Sequence, residues 1–361
     1  MPEFMTLGEI ASAARTNLDK NLWDYLTGGA DTEASIRRNR IALDSVVFKP
    51  KVLNNVSEIS LSREFLGNRL RIPVILPPIG SIQAFHAGGG SSVAKAAEDF
   101  GTMMILSSAC QPSFEEVALV GGAPKIYQLY LVGDESWMDE VIARSIESGY
   151  DAFCLTVDTA VYSRRERDIH KRYIPGSGRQ VGRSRGEPFN YQASMNWETV
   201  LHIKRTFDIP LVLKGIQRAD DALRAIDAGV DVIYVSNHGG RQLDHSRGCL
   251  DVLREVTKVV QDRVPVVVDG GFLRGADVIK GLCYGATAIG MGRLLGLAMA
   301  AGGPSTVVRA LEILEQEMQI TMGLMGIADI DDLSPDLVEV TVPMPGSANV
   351  LDAFPLISEG Y

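Results

Sequence analysis

Val232-Ile233-Tyr234-Val235-Ser236-Asn237-His238-Gly239-Gly240-Arg241-Gln242-Leu243-Asp244 joins an apolar run of strand length to a polar cluster with one histidine, two glycines and one arginine. A continuous apolar run of this kind reads as a parallel strand buried on both faces. The glycines let the backbone turn sharply, or approach a ligand closely, just after it. An imidazole and a guanidinium then stand three residues apart at the mouth of a strand, suited to take a proton and hold an anion. The bland alternative is a turn-capping histidine beside an arginine in a surface ion pair, so the rest of the chain has to decide.

Outward from this stretch the same theme repeats. Apolar runs occur at Ile72–Ile79, Met103–Ser107, Lys125–Leu131, Ala152–Val157, Pro210–Leu213, Val232–Val235, Pro265–Val268 and Ala288–Met291. Helix-like segments follow near 91–99, 113–120, 135–148, 196–207, 218–228, 250–262, 275–284 and 305–322. Eight strands alternating with helices predict an α/β fold, a (β/α)8 TIM barrel spanning about 72–322, with a doubly wound open sheet as the alternative. Each run ends in polar or small residues, including Gly80-Ser81, Ser107-Ser108, Gln128, Thr156-Val157-Asp158, Lys214-Gly215, Asp269-Gly270-Gly271 and Gly290-Met291-Gly292-Arg293. Barrel enzymes assemble their sites from these strand ends, so eight polar ends on one rim describe a lined pocket.

An N-terminal helical segment is expected over 6–45, ahead of irregular or short-strand structure to residue 71. The connection at about 159–195 is long, polar and basic, with Arg164, Arg165, Arg167, Lys171, Arg172, Arg179, Arg183 and Arg185. It reads as a lid or a solvated face, and only Arg164-Arg165 reads as site material. Pro335, Pro343, Pro345 and Pro355 make the tail from about 335 to 361 an extended C-terminal arm, suited to packing on a neighbouring subunit. Met1-Pro2-Glu3-Phe4, ahead of a second methionine, reads as a cloning scar.

The 361 residues, 46% of them hydrophobic, can bury a large core, and barrels of this length form a single domain. A net charge of −10 argues against nucleic acid or an anionic membrane as partner. No apolar run is long enough to span a bilayer, and no signal peptide is readable at the start. Cys110, Cys154, Cys249 and Cys283 form no C-x-x-C pair, which indicates neither a zinc site nor a disulfide framework and suits a reducing, cytoplasmic setting. The loops after strands seven and eight, Asp269 to Gly275 and Gly290 to Arg293, combine glycines with arginines and read as a phosphate end.

With these residues in place, the chain resembles the FMN-dependent L-2-hydroxy-acid oxidases and dehydrogenases, the family of glycolate oxidase, lactate oxidase and mandelate dehydrogenase. Ser236 to Gln242 reproduces the family's active-site signature, and matching stretches run in order from Trp23-Asp24-Tyr25 to Gly292-Arg293. The resemblance implies that His238 takes the proton of the C2 hydroxyl while the C2 hydride passes to flavin N5, with Asp158 stabilising the imidazolium. Arg241 and Arg165 would hold the substrate carboxylate, with hydroxyls from Tyr25 and Tyr130. Lys214 would stand beside flavin N1 and O2. Ile79, Gly80, Ser107, Gln128, Thr156 and Ser236 match ring positions. Asp269, Gly271, Arg274, Gly292 and Arg293 match ribityl and phosphate positions. The resemblance further implies FMN as cofactor and a homotetramer. Relatives use oxygen, a quinone or a cytochrome as acceptor, and the lack of a haem domain or an apolar docking insert favours oxygen, with hydrogen peroxide formed, over a quinone or cytochrome.

Several residues depart from the family's pattern. Leu273 replaces the first of two adjacent arginines and leaves only Arg274, Ala109 replaces the tryptophan of glycolate oxidase, and Ile79 replaces a common threonine. Gly80 follows the mandelate type. Small residues at 80 and 109 leave space for a bulky or aromatic 2-hydroxy acid such as mandelate, with glycolate or lactate as the alternative. Two other readings remain open at this stage, Lys214 as a Schiff-base lysine and a flavin-binding barrel without turnover.

Overall fold

The computed structural model describes residues 4–173, 190–342 and 349–359. Residues 1–3 of the suspected scar, the arginines 179, 183 and 185 of the basic loop, and prolines 343 and 345 of the tail lie outside them.

Eight parallel strands form one sheet: β1 (Val74–Ile75), β2 (Met104–Ser107), β3 (Lys125–Leu129), β4 (Ala152–Thr156), β5 (Leu211–Ile216), β6 (Val232–Val235), β7 (Val266–Val268) and β8 (Ala288–Gly290). Consecutive strands pair, β8 returns to β1, and Leu76 closes the ring by bridging Met104. The (β/α)8 barrel is therefore realised. Its first strand is shorter than the run Ile72–Ile79 suggests, because Pro73, Pro77 and Pro78 around it have no N–H for a ladder.

Side chains alternate along each strand, and this period sets the inside of the barrel. Ile105, Ile126, Cys154, Val212, Tyr234 and Val267 belong to the inner apolar cluster. Two residues further along, on the same face, come Ser107, Gln128, Thr156, Lys214, Ser236 and Asp269. The barrel is thus apolar within and capped at its C-terminal end by one polar layer. Phe65 and Leu70, on a hairpin pairing Arg63–Phe65 with Asn68–Leu70, join the same inner cluster. Ile233 and Val235 face outward into the larger core shared with the helices.

After β8 the expected single helix is two, Gly292–Gly302 and Pro304–Met325. Gly303, at φ +74°, breaks them, and Pro304 opens the second at a position where a missing N–H costs nothing. The N-terminal segment forms three helices, Leu7–Asn17, Lys20–Thr27 and Ala34–Asp44, the first closed by a Thr6/Glu9 capping box. The tail departs from the extended arm expected of it. Val338–Val340 pairs antiparallel with Val46–Phe48 of the same chain, satisfying backbone groups each strand would otherwise leave open. Val350–Ala353 and Pro355–Ser358 then form short helical turns. Among the described residues no helix is long and apolar enough to cross a membrane, and all four cysteines are buried and unpaired.

Candidate active site

The polar layer opens into a cleft of about 1210 Å3, counting its open mouth. Tyr25, Ile79, Gly80, Tyr130, Arg165, Lys214, His238, Arg241, Asp269, Gly271, Gly292 and Arg293 all line it. Ser107, Gln128, Thr156, Ser236 and Asp158 stand immediately behind this lining, buried at the strand ends.

His238 projects from the turn after β6, at φ +57°, followed by Gly239 and Gly240 at φ +63° and +75°. A side chain is strained in this left-handed region, a departure that accompanies functional positions. Gly240 must also lack a Cβ, which would lie 2.7 Å from the Ile36 nitrogen of the covering helix. His238 Nδ1 lies 2.8 Å from Asp158 Oδ1 and 3.3 Å from Thr159 Oγ1. Its Nε2 lies 3.3 Å from the Tyr130 hydroxyl. An ionised carboxylate can only accept, so Nδ1 carries the proton and Nε2 faces the cleft as a base. Burial lowers the imidazole pKa, outweighing the pull of Asp158 in the other direction, and leaves the ring neutral at pH 7. Burial by itself would raise the carboxyl of Asp158, but His238 and Lys214 hold it below its usual range.

Four arginines line the cleft; Arg40 is paired with Asp44 and Asp277, and the guanidiniums of the other three crowd together. Arg241 donates to the carbonyls of Tyr25 and Gly28 at 2.5 and 3.0 Å and lies 4.8 Å from the Tyr25 ring centroid. Arg165 stacks over Tyr162 and donates to the Arg241 carbonyl. Arg293 donates to the carbonyls of Gly239 and Gly28. Burial and then Arg165 push the Arg241 pKa down; burial and then Arg241 push that of Arg293 to about 9. Charged groups so crowded are relieved by an anion, which is what a carboxylate or phosphate supplies.

Lys214 donates to Ser236 Oγ at 3.0 Å, and Ser236 donates to Asp269 Oδ1 at 2.7 Å. Burial would strip its proton, yet Asp269 and Asp158 reverse this and raise its pKa above the ordinary lysine value. A lysine bonded to Ser236 and paired with Asp269 is held as a cation, which favours a charge-stabilising role over the Schiff-base one.

Two expectations need correction. Arg274 does not line the cleft: its guanidinium is tied to Glu317 and to the Ala353 carbonyl, because the folded tail sits beside it. The described beginning of the basic loop is also less solvated than its composition suggests. Arg167 reaches Glu33 at 2.6 Å and Lys171 reaches Asp24 at 2.6 Å, docking this segment on the N-terminal helices, while Arg164 is exposed. The fold also recruits residues that sequence reasoning missed. Asn39 and Asn237 exchange two amide hydrogen bonds, at 3.0 and 2.9 Å, that fasten the His238 turn to the helix Ala34–Asp44. Thr159 supports His238, and Gln242 donates to Thr159. Asn39 and Asn237 stand 198 positions apart, and no spacing rule links them.

The residues fit flavin mononucleotide. Both amide atoms of Gln128 and the hydroxyl of Thr156 are buried without a partner among the described residues, as a planar ring with donors and acceptors at its edge requires. Lys214 adds a cation at the same layer. Gly271 and the first N–H groups of the helix Gly292–Gly302 offer an anion site, with buried Leu273 in the wall where an arginine is common.

Comparison with known proteins agrees. The FMN-dependent dehydrogenase family model matches residues 14–340. A peroxisomal (S)-2-hydroxyacid oxidase of Arabidopsis thaliana is 36% identical, covering 92% of this chain and 96% of that protein. An L-lactate oxidase of Nostoc sp. is 35% identical over 93% and 98%. Mandelate oxidase, solved with 3,3-difluoro-2-hydroxy-3-phenylpropionic acid, superposes with TM-score 0.86 at 34% identity over 94% of this chain and 100% of that one. A soluble mutant of the membrane-associated (S)-mandelate dehydrogenase of Pseudomonas putida gives TM-score 0.87 at 32% identity, over the same shares. A barrel whose polar rim fits FMN, matched over nearly its whole length by these flavoenzymes, makes the chain a member of the FMN-dependent dehydrogenase family.

Proposed function

We propose that this chain oxidises an L-2-hydroxy acid to the 2-oxo acid, with His238 as the base. The observation that carries the reading is one cleft holding a neutral imidazole, a buried carboxylate behind it and crowded guanidiniums beside it. Arg241 and Arg165 hold the substrate carboxylate, whose charge offsets their mutual repulsion. Tyr25 and Tyr130 donate hydroxyls to it; burial keeps the Tyr130 phenol protonated. His238 Nε2 accepts the C2 hydroxyl proton, and Asp158 stabilises the resulting imidazolium. FMN, when bound, supplies the acceptor for the C2 hydride. Ile79, Gly80, Ser107, Gln128, Thr156, Lys214 and Ser236 hold its ring, and Asp269, Gly271, Gly292 and Arg293 its ribityl phosphate.

The substrate carries a bulky or aromatic side chain, as mandelate does. Ala109 and Gly80 line the cleft with little side-chain volume of their own, which supports this reading. A small acid is the second reading, favoured by relatives named for lactate and glycolate. Oxygen takes the two electrons and two protons as hydrogen peroxide, in preference to a quinone or cytochrome acceptor. The reading includes a homotetramer, checked by light scattering, and a cytoplasmic setting, checked by fractionation.

The test is anaerobic mixing of the purified yellow protein with glycolate, lactate and mandelate, followed by aeration and peroxide detection. Mandelate should bleach the flavin fastest, with one peroxide formed per acid oxidised. No bleaching with any 2-hydroxy acid leaves a flavin-binding barrel without turnover and ends the enzyme reading. Bleaching without peroxide ends the oxygen reading, and faster reduction by glycolate ends the bulky-substrate one.

A further inference from the structure

Tyr234 takes no part in the chemistry above, yet it is fully buried inside the barrel, directly under the polar layer. Its hydroxyl lies beside the Asp269 carboxylate, which with burial favours the neutral phenol. Across the β5–β6 pairing its register partner is Lys214, whose ammonium lies 5.1 Å from the phenol ring centroid. The hydrogen-bond and ion-pair contacts of that ammonium among the described residues are Ser236 Oγ at 3.0 Å and Asp269 Oδ2 at 3.5 Å, and Asp158 acts on it from farther off.

These three neighbours differ in what they do to a cation. Ser236 takes one N–H. Asp269 attracts the charge and, at closer range, would cancel it. An aromatic face attracts an ammonium through its quadrupole but neutralises nothing. We propose that Tyr234 is a positioning residue for Lys214: its ring holds the ammonium against the cleft and short of a close pair with Asp269, so that the positive charge serves the cofactor. An aliphatic residue, the usual filling of a barrel layer, would leave Lys214 free to close on Asp269. Burial keeps the phenol in its neutral form, so the ring adds no competing negative charge.

Gly290 on β8 is what makes room for this tyrosine. A Cβ at 290 would fall 2.2 Å from the Tyr234 hydroxyl oxygen, but 3.3 Å from Cζ. Tyr234 and Gly290 therefore form a steric pair. Alanine at 290 must push the phenol aside and also comes within 3.3 Å of Asp269 Cβ, so deleting the hydroxyl should relieve the worst contact and only part of the crowding.

The inference rests on the FMN site and not on which acid is oxidised, so its readout avoids turnover. The FMN-loaded protein is equilibrated with a reference dye of known potential, and the FMN dissociation constant is measured alongside. A fixed cation in the cleft favours the reduced, more negative cofactor. Tyr234→Leu should therefore lower the reduced-to-oxidised ratio about tenfold, equal to about 30 mV for a two-electron couple. Tyr234→Phe keeps the ring face and should stay within about twofold of the parent. Gly290→Ala should lower the ratio and loosen FMN, and Tyr234→Phe/Gly290→Ala should recover part of both. An unchanged potential in Tyr234→Leu, or Tyr234→Phe falling as far, overturns the assignment. Should Tyr234→Leu not fold, the second pair decides: Gly290→Ala matching the parent, or no recovery in the double variant, overturns it equally.

Discussion

Replacing Asp158 by Asn keeps the shape of the His238 support and removes its charge. The carboxylate oxygen lies 2.8 Å from Nδ1, and the Asp158 side chain is 3% exposed. Unit charges about 4 Å apart interact by about 4 kcal/mol at an effective dielectric constant near 20. With the proton about half transferred at the transition state, some 2 kcal/mol is lost; with transfer complete, about 4 kcal/mol. Flavin reduction should therefore slow by about 30-fold to 1,000-fold. An amide can also donate to Nδ1 and move the ring proton to Nε2, which pushes the loss to the upper end. The assay is anaerobic stopped-flow absorbance of the flavin across pH, with FMN content checked in the same samples. His238 must be neutral to act, so the rate falls as pH drops through its pKa, which burial already holds below the ordinary value of 6.5. Asp158 opposes that lowering, so the acid limb should move to still lower pH in the Asn variant. A reduction rate within about threefold of the parent, or an acid limb moving upward, would refute the assignment.

Three further outcomes are expected. Arg241→Met should retain FMN but weaken binding of the 2-oxo acid product about tenfold to 150-fold, the worth of charge-assisted hydrogen bonds, read by spectral titration. Ala109→Trp should fill the side-chain space and cut the mandelate-to-lactate ratio of reduction rates at least about tenfold; an unchanged ratio places the side chain elsewhere. Phe65→Ala, which empties part of the inner core beside the hairpin, should cost about 3–5 kcal/mol in urea unfolding of the FMN-loaded protein, and a loss under about 1 kcal/mol contradicts that packing.

Much of the fold was legible because its signals are local. Each strand is a short apolar run, each run ends in turn chemistry, and the count of eight closes the barrel. The site was legible for the same reason. A strand that buries Tyr234 on its inner face must present Ser236 on that face too, and the glycines after it can only be a turn, so His238 and Arg241 had to stand at the rim. Where expectation failed, the cause was a long-range partner. Arg274 looked like a phosphate ligand until Glu317 and the returning tail claimed it. The tail looked like an extended arm for a neighbouring subunit until Val46–Phe48 offered it an open strand edge.

The sequence by itself determined the barrel, the residue types on its rim and the chemistry they suit, because strand period and turn residues act over a few positions. Only the tertiary structure decided which groups touch: Asp158 behind His238, Asn39 locked to Asn237, and Lys214 over the ring of Tyr234. These contacts join residues tens to hundreds of positions apart. They also set protonation, since burial and neighbouring charge exist only once the chain has closed around them.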